Sequence, residues 1–197
     1  MYDRKDAYYR KAKKEGYRSR ASYKLTQIAA KERAVRPGDR VIDAGAAPGG
    51  WSQILLGMVG ARGKIAAVDL LPMATLPGEN FRFWQRDLTE PALPAELLEF
   101  LGGKADAVVS DAAPNTTGST FTDQARSADL VRAVFGLARE TLRDGGIFLA
   151  KIFGGAEADA IFRELKPFFA DLRRLRPDAT RKESFELYFL GKGFRAG

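Results

Sequence analysis

Four aspartates follow apolar runs in the first 111 residues: Asp43 in Val41-Ile-Asp-Ala44, Asp69 in Ala66-Ala-Val-Asp69, Asp87 in Gln85-Arg-Asp87 and Asp111 in Val108-Val-Ser-Asp111. As strands of one parallel sheet, these runs would gather their carboxylates along a single rim. A carboxylate ending the second strand is placed to accept hydrogen bonds from ribose hydroxyls. Asp43 leads into a glycine turn, Gly45-Ala-Ala-Pro-Gly-Gly-Trp-Ser52. Gly45 lets the chain turn tightly, and Gly49 and Gly50 let a ligand approach the main chain. Pro48 has no N–H to leave unpaired and suits the entry to a helix. The chain has no histidine and no cysteine. Proton transfer therefore falls to Lys, Asp, Glu or Tyr, and disulfides, zinc–thiolate sites and cysteine nucleophiles are excluded.

The turn is not a dinucleotide fingerprint, because it lacks G-x-G-x-x-G, and it is not a P-loop, because no G-K-[ST] follows. An acidic rim would repel a diphosphate. It suits a ligand that is cationic near its reacting atom, and the sulfonium of S-adenosyl-L-methionine fits. No metal site is expected.

These residues need a scaffold. Strands are expected over 40–44, 64–69, 81–85, 107–111 and 146–152, with helices over 22–31, 50–59, 94–101, 122–142 and 156–170. Two further strands, over 172–176 and 185–190, are joined by a loop too short for a crossover helix, so they should pair antiparallel at one edge. The alternation of strand and helix predicts an α/β fold: a mostly parallel seven-stranded sheet with one antiparallel edge strand and helices on both faces. Residues 115–121, rich in Thr, Ser and Gly, follow a strand end and suit an active-site loop.

The 197 residues fit one domain over 21–197, preceded by a basic arm over 1–20. No apolar run nears the ~18 residues of a membrane span, and the charged N-terminus is unlike a secretory signal. Net charge is +7 and the isoelectric point about 9.7, which favours a polyanionic partner. Nine Lys and Arg residues crowd the first 24 positions, with tyrosines among them that can stack on bases. A second cluster holds Arg173, Arg174, Arg176, Arg181 and Lys182.

Six segments in order carry a resemblance: Arg18-Ser-Arg-Ala-Ser-Tyr-Lys-Leu25, Asp43 through Gln53, Val68-Asp-Leu-Leu-Pro-Met73, Ser110-Asp-Ala-Ala-Pro-Asn115, Ala150-Lys-Ile-Phe153 and Ser184-Phe-Glu-Leu-Tyr-Phe189. The chain resembles the FtsJ/RrmJ (RlmE) ribose 2′-O-methyltransferases over about residues 6–192. The resemblance implies a Rossmann-like class I methyltransferase that uses S-adenosyl-L-methionine. It also implies 2′-O-methylation of a uridine ribose in large-subunit (23S) ribosomal RNA, within the large ribosomal subunit, by a cytoplasmic monomer that touches no membrane. The family's Lys-Asp-Lys-Glu catalytic tetrad falls on Lys24, Asp111, Lys151 and Glu186. Its cofactor positions fall on Gly49, Trp51, Asp69, Asp87 and Asp111, beside Gly45 of the turn. Phe185 and Glu183 depart from it, standing where the enterobacterial type has a basic residue.

Lys151 has two open roles: a neutral base for the hydroxyl, or a charged group that orients it and stabilises the alkoxide. Lys24 and Glu186 would position Lys151 and the ribose. The alternatives to rRNA are tRNA or another RNA as the 2′-O-methylation substrate, and a catalytically silent RNA-binding ribosome-assembly factor. A base methylase is a further possibility through Asp111-Ala-Ala-Pro114, but Asn115 stands where an aromatic would stack the flipped base.

Overall fold

Apolar residues on adjacent strand positions face opposite sides of the sheet and build two cores. Val41, Ile65, Ala107 and Leu149 pack on one face with Leu25, Ile28, Trp51 and Leu55. Ile42, Ala66, Val108 and Phe148 pack on the other with Leu93, Leu97, Val131 and Ile161. The computed structural model describes residues 16–19, 21–180 and 184–196. Residues 1–15 and Arg20 of the basic arm over 1–20, and Arg181, Lys182, Glu183 and Gly197, lie outside them.

The elements run α1 (Ser22–Glu32), β1 (Arg40–Ala44), α2 (Gly50–Val59), β2 (Lys64–Asp69), β3 (Phe81–Gln85), α3 (Leu93–Leu101), β4 (Ala105–Ser110), α4 (Thr120–Thr141), β5 (Leu142–Phe153), α5 (Ala156–Leu165), β6 (Phe169–Leu175) and β7 (Glu186–Phe194). The seven-stranded sheet has the order β3-β2-β1-β4-β5-β7-β6. Helices α1 and α2 cover one face, and α3, α4 and α5 the other. The first five strands are parallel, and β7 runs antiparallel to both β5 and β6.

The expected antiparallel pair is present at one edge, with a finer arrangement. The antiparallel strand is β7, one place in, and β6 is outermost. The helix expected to run to residue 170 stops at Leu165. Lys166–Phe168 form a single 3-10 turn, and β6 starts at Phe169. Pro167 has no N–H for the helix ladder and ends it. Strand order reverses between β1 and β4, so the crevice at their carboxyl ends is where such sheets hold ligands.

Candidate active site

Gly45 sets up that crevice. Its φ is 76°, and a Cβ there would lie 2.5 Å from the Ala112 Cβ. The missing side chain lets the β1 turn close on the segment that carries Asp111. Gly45 and Ala46 donate their N–H groups to the Val68 carbonyl, and Ala47 donates to Asp69 Oδ2 at 2.9 Å. Asp69 Oδ1 accepts from the Leu71 N–H at 2.8 Å, so Asp69 braces the turn from the end of β2. Asp87 is exposed and caps its own turn, accepting from the Thr89 N–H and hydroxyl. Those bonds hold its carboxyl below the usual range.

Two of the cofactor positions are less open than their place beside the turn suggests. The Trp51 ring is turned into the core. It is 3 % exposed, donates to the Ala21 carbonyl at 3.0 Å and stacks on Tyr188 with centroids 6.0 Å apart. What Trp51 leaves for a ligand is its main chain, in the first turn of α2, where N–H groups have no intrahelical partner. Above Gly49 lie two flexible side chains: a Cβ there would come 2.8 Å from Arg18 Nη1 and 2.9 Å from Met73 Sδ. A ligand approaching Gly49 would have to displace side chains, not backbone.

Asp43 is not on the rim. It sits within β1, 1 % exposed, with Oδ2 accepting from the Ser52 hydroxyl at 2.6 Å and Oδ1 buried without a partner. Burial pushes its carboxyl up to about 7; the Ser52 bond opposes this, and the charges of Asp111 and Asp69 add to it. An orphaned carboxylate oxygen among mutually repelling carboxylates makes a donor set suited to a cation.

Beside this crevice the four tetrad positions come together from four places in the chain. Lys24 projects from α1 and Lys151 from β5, 5 % and 7 % exposed. Asp111 follows β4, and Glu186 opens β7. Lys24 Nζ lies 2.6 Å from Glu186 Oε2. Lys151 Nζ donates to the Asp111 carbonyl at 2.7 Å and lies 3.2 Å from Asp111 Oδ1 and 4.0 Å from Glu186 Oε1. The lysine charges are matched by two carboxylates. Burial pushes the Glu186 carboxyl up, but Lys24, Lys151 and the Ser184 hydroxyl overcome this and hold it below its ordinary value.

Tyr188 is the participant the sequence reading passed over. It pairs across from Lys151, is fully buried and donates its hydroxyl to Asp111 Oδ1 at 2.6 Å. Burial, then the Asp111 charge and that bond, push the phenol well above its usual range, so it stays a donor and pins Asp111. The signal was present: Glu186 and Tyr188 are two apart, on one face of a strand. Among the described residues of the second basic cluster, Arg173 and Arg174 are held in ion pairs. Arg173 pairs with Glu32 and Asp171, each at 2.9 Å. Arg174 pairs with Asp159 at 2.7 Å and lies over the Phe162 ring.

An open Rossmann-like sheet, a glycine turn at its switch point and a Lys-Asp-Lys-Glu cluster beside it define a methyltransferase of the Rossmann-like class. The FtsJ-like methyltransferase family model matches residues 17–194, and the chain belongs to that family. It is 48 % identical over 195 residues to "Ribosomal RNA large subunit methyltransferase E" of Archaeoglobus fulgidus, covering 99 % of each chain. It is 46 % identical over 192 residues to the protein of the same name from Methanothermobacter thermautotrophicus, covering 98 % of this chain and 91 % of that one. Among solved structures, one titled as a ribosomal RNA methyltransferase from Plasmodium falciparum superposes with a TM-score of 0.79 at 26 % identity, covering 90 % of this chain and 98 % of that one.

Proposed function

We propose that this protein transfers the methyl group of S-adenosyl-L-methionine to the 2′-hydroxyl of a uridine ribose in large-subunit ribosomal RNA, as a cytoplasmic monomer. The observation that carries the reading is the joined cluster of Lys24, Asp111, Lys151 and Glu186 beside the glycine turn. The relatives' names support the large-subunit RNA, and the family resemblance supports the uridine 2′-oxygen.

The cofactor, when bound, supplies a methyl group on a cationic sulfur. The main chain of Gly49 and Trp51 and the carboxylates of Asp69, Asp87 and Asp111 would hold it, and the acidic surroundings of Asp43 suit its positive charge. The chain's own residues then do two jobs. Lys24 fixes Glu186, and Tyr188 fixes Asp111, so both acceptors around Lys151 are held in place. Lys151 meets the ribose hydroxyl. As the base, Lys151 takes the hydroxyl proton while the ribose oxygen attacks.

Mass-spectrometric mapping of ribose methylation in rRNA and tRNA, from cells with and without the protein, tests the substrate. Loss of one 2′-O-methyluridine from large-subunit rRNA is expected. A loss confined to tRNA would overturn the assignment.

A further inference from the structure

Two of the large apolar side chains left exposed flank the catalytic cluster: Phe121, 76 % exposed, and Phe185, 60 % exposed. Phe185 immediately precedes Glu186. Its carbonyl accepts from the Gly154 N–H at 2.7 Å, three residues beyond Lys151 and just past the end of β5. Phe121 stands in the first turn of α4, entered from the loop that leaves Asp111. One turn further along, Gln124 Nε2 donates to the Gly154 carbonyl at 2.6 Å. Gly154 thus ties both phenylalanine-bearing segments to the strand end that carries Lys151.

An exposed arginine bonds to the backbone of each ring-bearing segment. Arg176 donates to the Ser184 carbonyl, next to Phe185, at 2.9 Å. Arg126 donates to the Asn115 carbonyl, in the loop leading to Phe121, at 3.4 Å. Phenyl rings left in water forgo about 2–3 kcal/mol of burial each. Flat apolar faces on segments that also hold a guanidinium match one ligand chemistry: unpaired nucleotides, whose bases stack on aromatic rings while phosphates meet guanidinium groups. A hydrophobic protein partner would account for the rings but not for the arginines, and the net charge of +7 also favours a polyanion.

We infer that Phe121 and Phe185 form a stacking platform for unpaired bases flanking the ribose that is methylated. This rests on the RNA-methylation reading above. It gives a task to the phenylalanine that stands where the enterobacterial type has a basic residue.

The test uses the full chain and two substrates from cells lacking the protein: large ribosomal subunits, and the naked rRNA extracted from them. Phe121→Ala and Phe185→Ala should each raise the KM for naked rRNA by roughly 5- to 100-fold, the loss of one stacked base. S-adenosyl-L-methionine affinity by calorimetry should stay near wild type. Phe185→Trp should restore the KM and Phe185→Leu should not. Wild-type KM in both alanine variants, rescue by leucine as full as by tryptophan, or a defect seen on the subunit but not on naked rRNA would each overturn the platform; the last would indicate a protein contact. A wild-type enzyme that methylates neither substrate would overturn the RNA reading itself.

Discussion

Asp43 occupies the least comfortable position in the site. One carboxylate oxygen is buried without a partner, and burial, reinforced by Asp111 and Asp69 against the Ser52 bond, lifts its carboxyl to about 7. The raised value means the folded state keeps this proton after the unfolded chain has lost it. Stability from this group is complete below the ordinary aspartate range, declines as pH rises above it, and is gone above pH 7. The full span is on the order of 4 kcal/mol. Without cofactor, Asp43→Asn should therefore gain on the wild type progressively from pH 4 to pH 8 in denaturant midpoint. Parallel profiles for the two proteins would show that the carboxyl does not titrate in this range. A cationic cofactor favours the carboxylate, so its affinity for the wild type should rise with pH through 7, which calorimetry can follow.

At the scale of elements, α1, which carries Lys24, is fastened to the sheet at its carboxyl end. Glu32, buried at the end of α1, accepts from Arg173 of β6 at 2.9 Å and from Lys192 of β7 at 3.2 Å. Lys192 also donates to the Glu32 carbonyl. Burial raises the Glu32 carboxyl, but the Lys192 bond and the two cations outweigh it, so its value is lowered. The stability from this group is present above the ordinary glutamate range and is lost as pH falls through the lowered value. Glu32→Gln should cost about 1–3 kcal/mol at pH 7, and less as acid protonates the wild type. Urea melts at pH 7 and pH 3 check this; an equal cost at both would make the role one of packing.

The parallel strands were legible in the sequence because apolar runs of the right length alternate with helical stretches; the rim place of Asp69 was legible with them, but the burial of Asp43 inside β1 was not. The tetrad was legible only through the resemblance, since Lys24 and Glu186 are 162 residues apart and no local pattern joins them. The place of β7 inside β6 was not legible, because strand order depends on contacts between distant segments. Tyr188 went unremarked because a buried tyrosine in an alternating strand looks like core, and its hydrogen bond to Asp111 exists only after folding. The burial of Trp51 against Tyr188 was hidden for the same reason.

Across the whole molecule, the excess of seven positive charges sets the terms of binding. Phosphate contacts release counterions, so RNA affinity should fall steeply with salt. Arg173 and Arg174 of the second cluster are paired with Glu32, Asp171 and Asp159, and the arm carries more basic residues than the cluster. Deleting residues 1–15 should weaken RNA binding and flatten its salt dependence, with cofactor affinity nearly intact. The cut spares Gly16 and Arg18, which bond to Gln53. Anisotropy titrations over a salt series measure both effects, and an unchanged slope would make the arm a bystander. The central claim is that the four joined residues carry out methyl transfer around Lys151, and single-turnover methylation of large subunits from cells lacking the protein tests it most directly. Lys151→Ala should fold, bind S-adenosyl-L-methionine and transfer no methyl group, because no histidine or cysteine is present to replace the amine. Near-normal transfer by that variant would contradict the account.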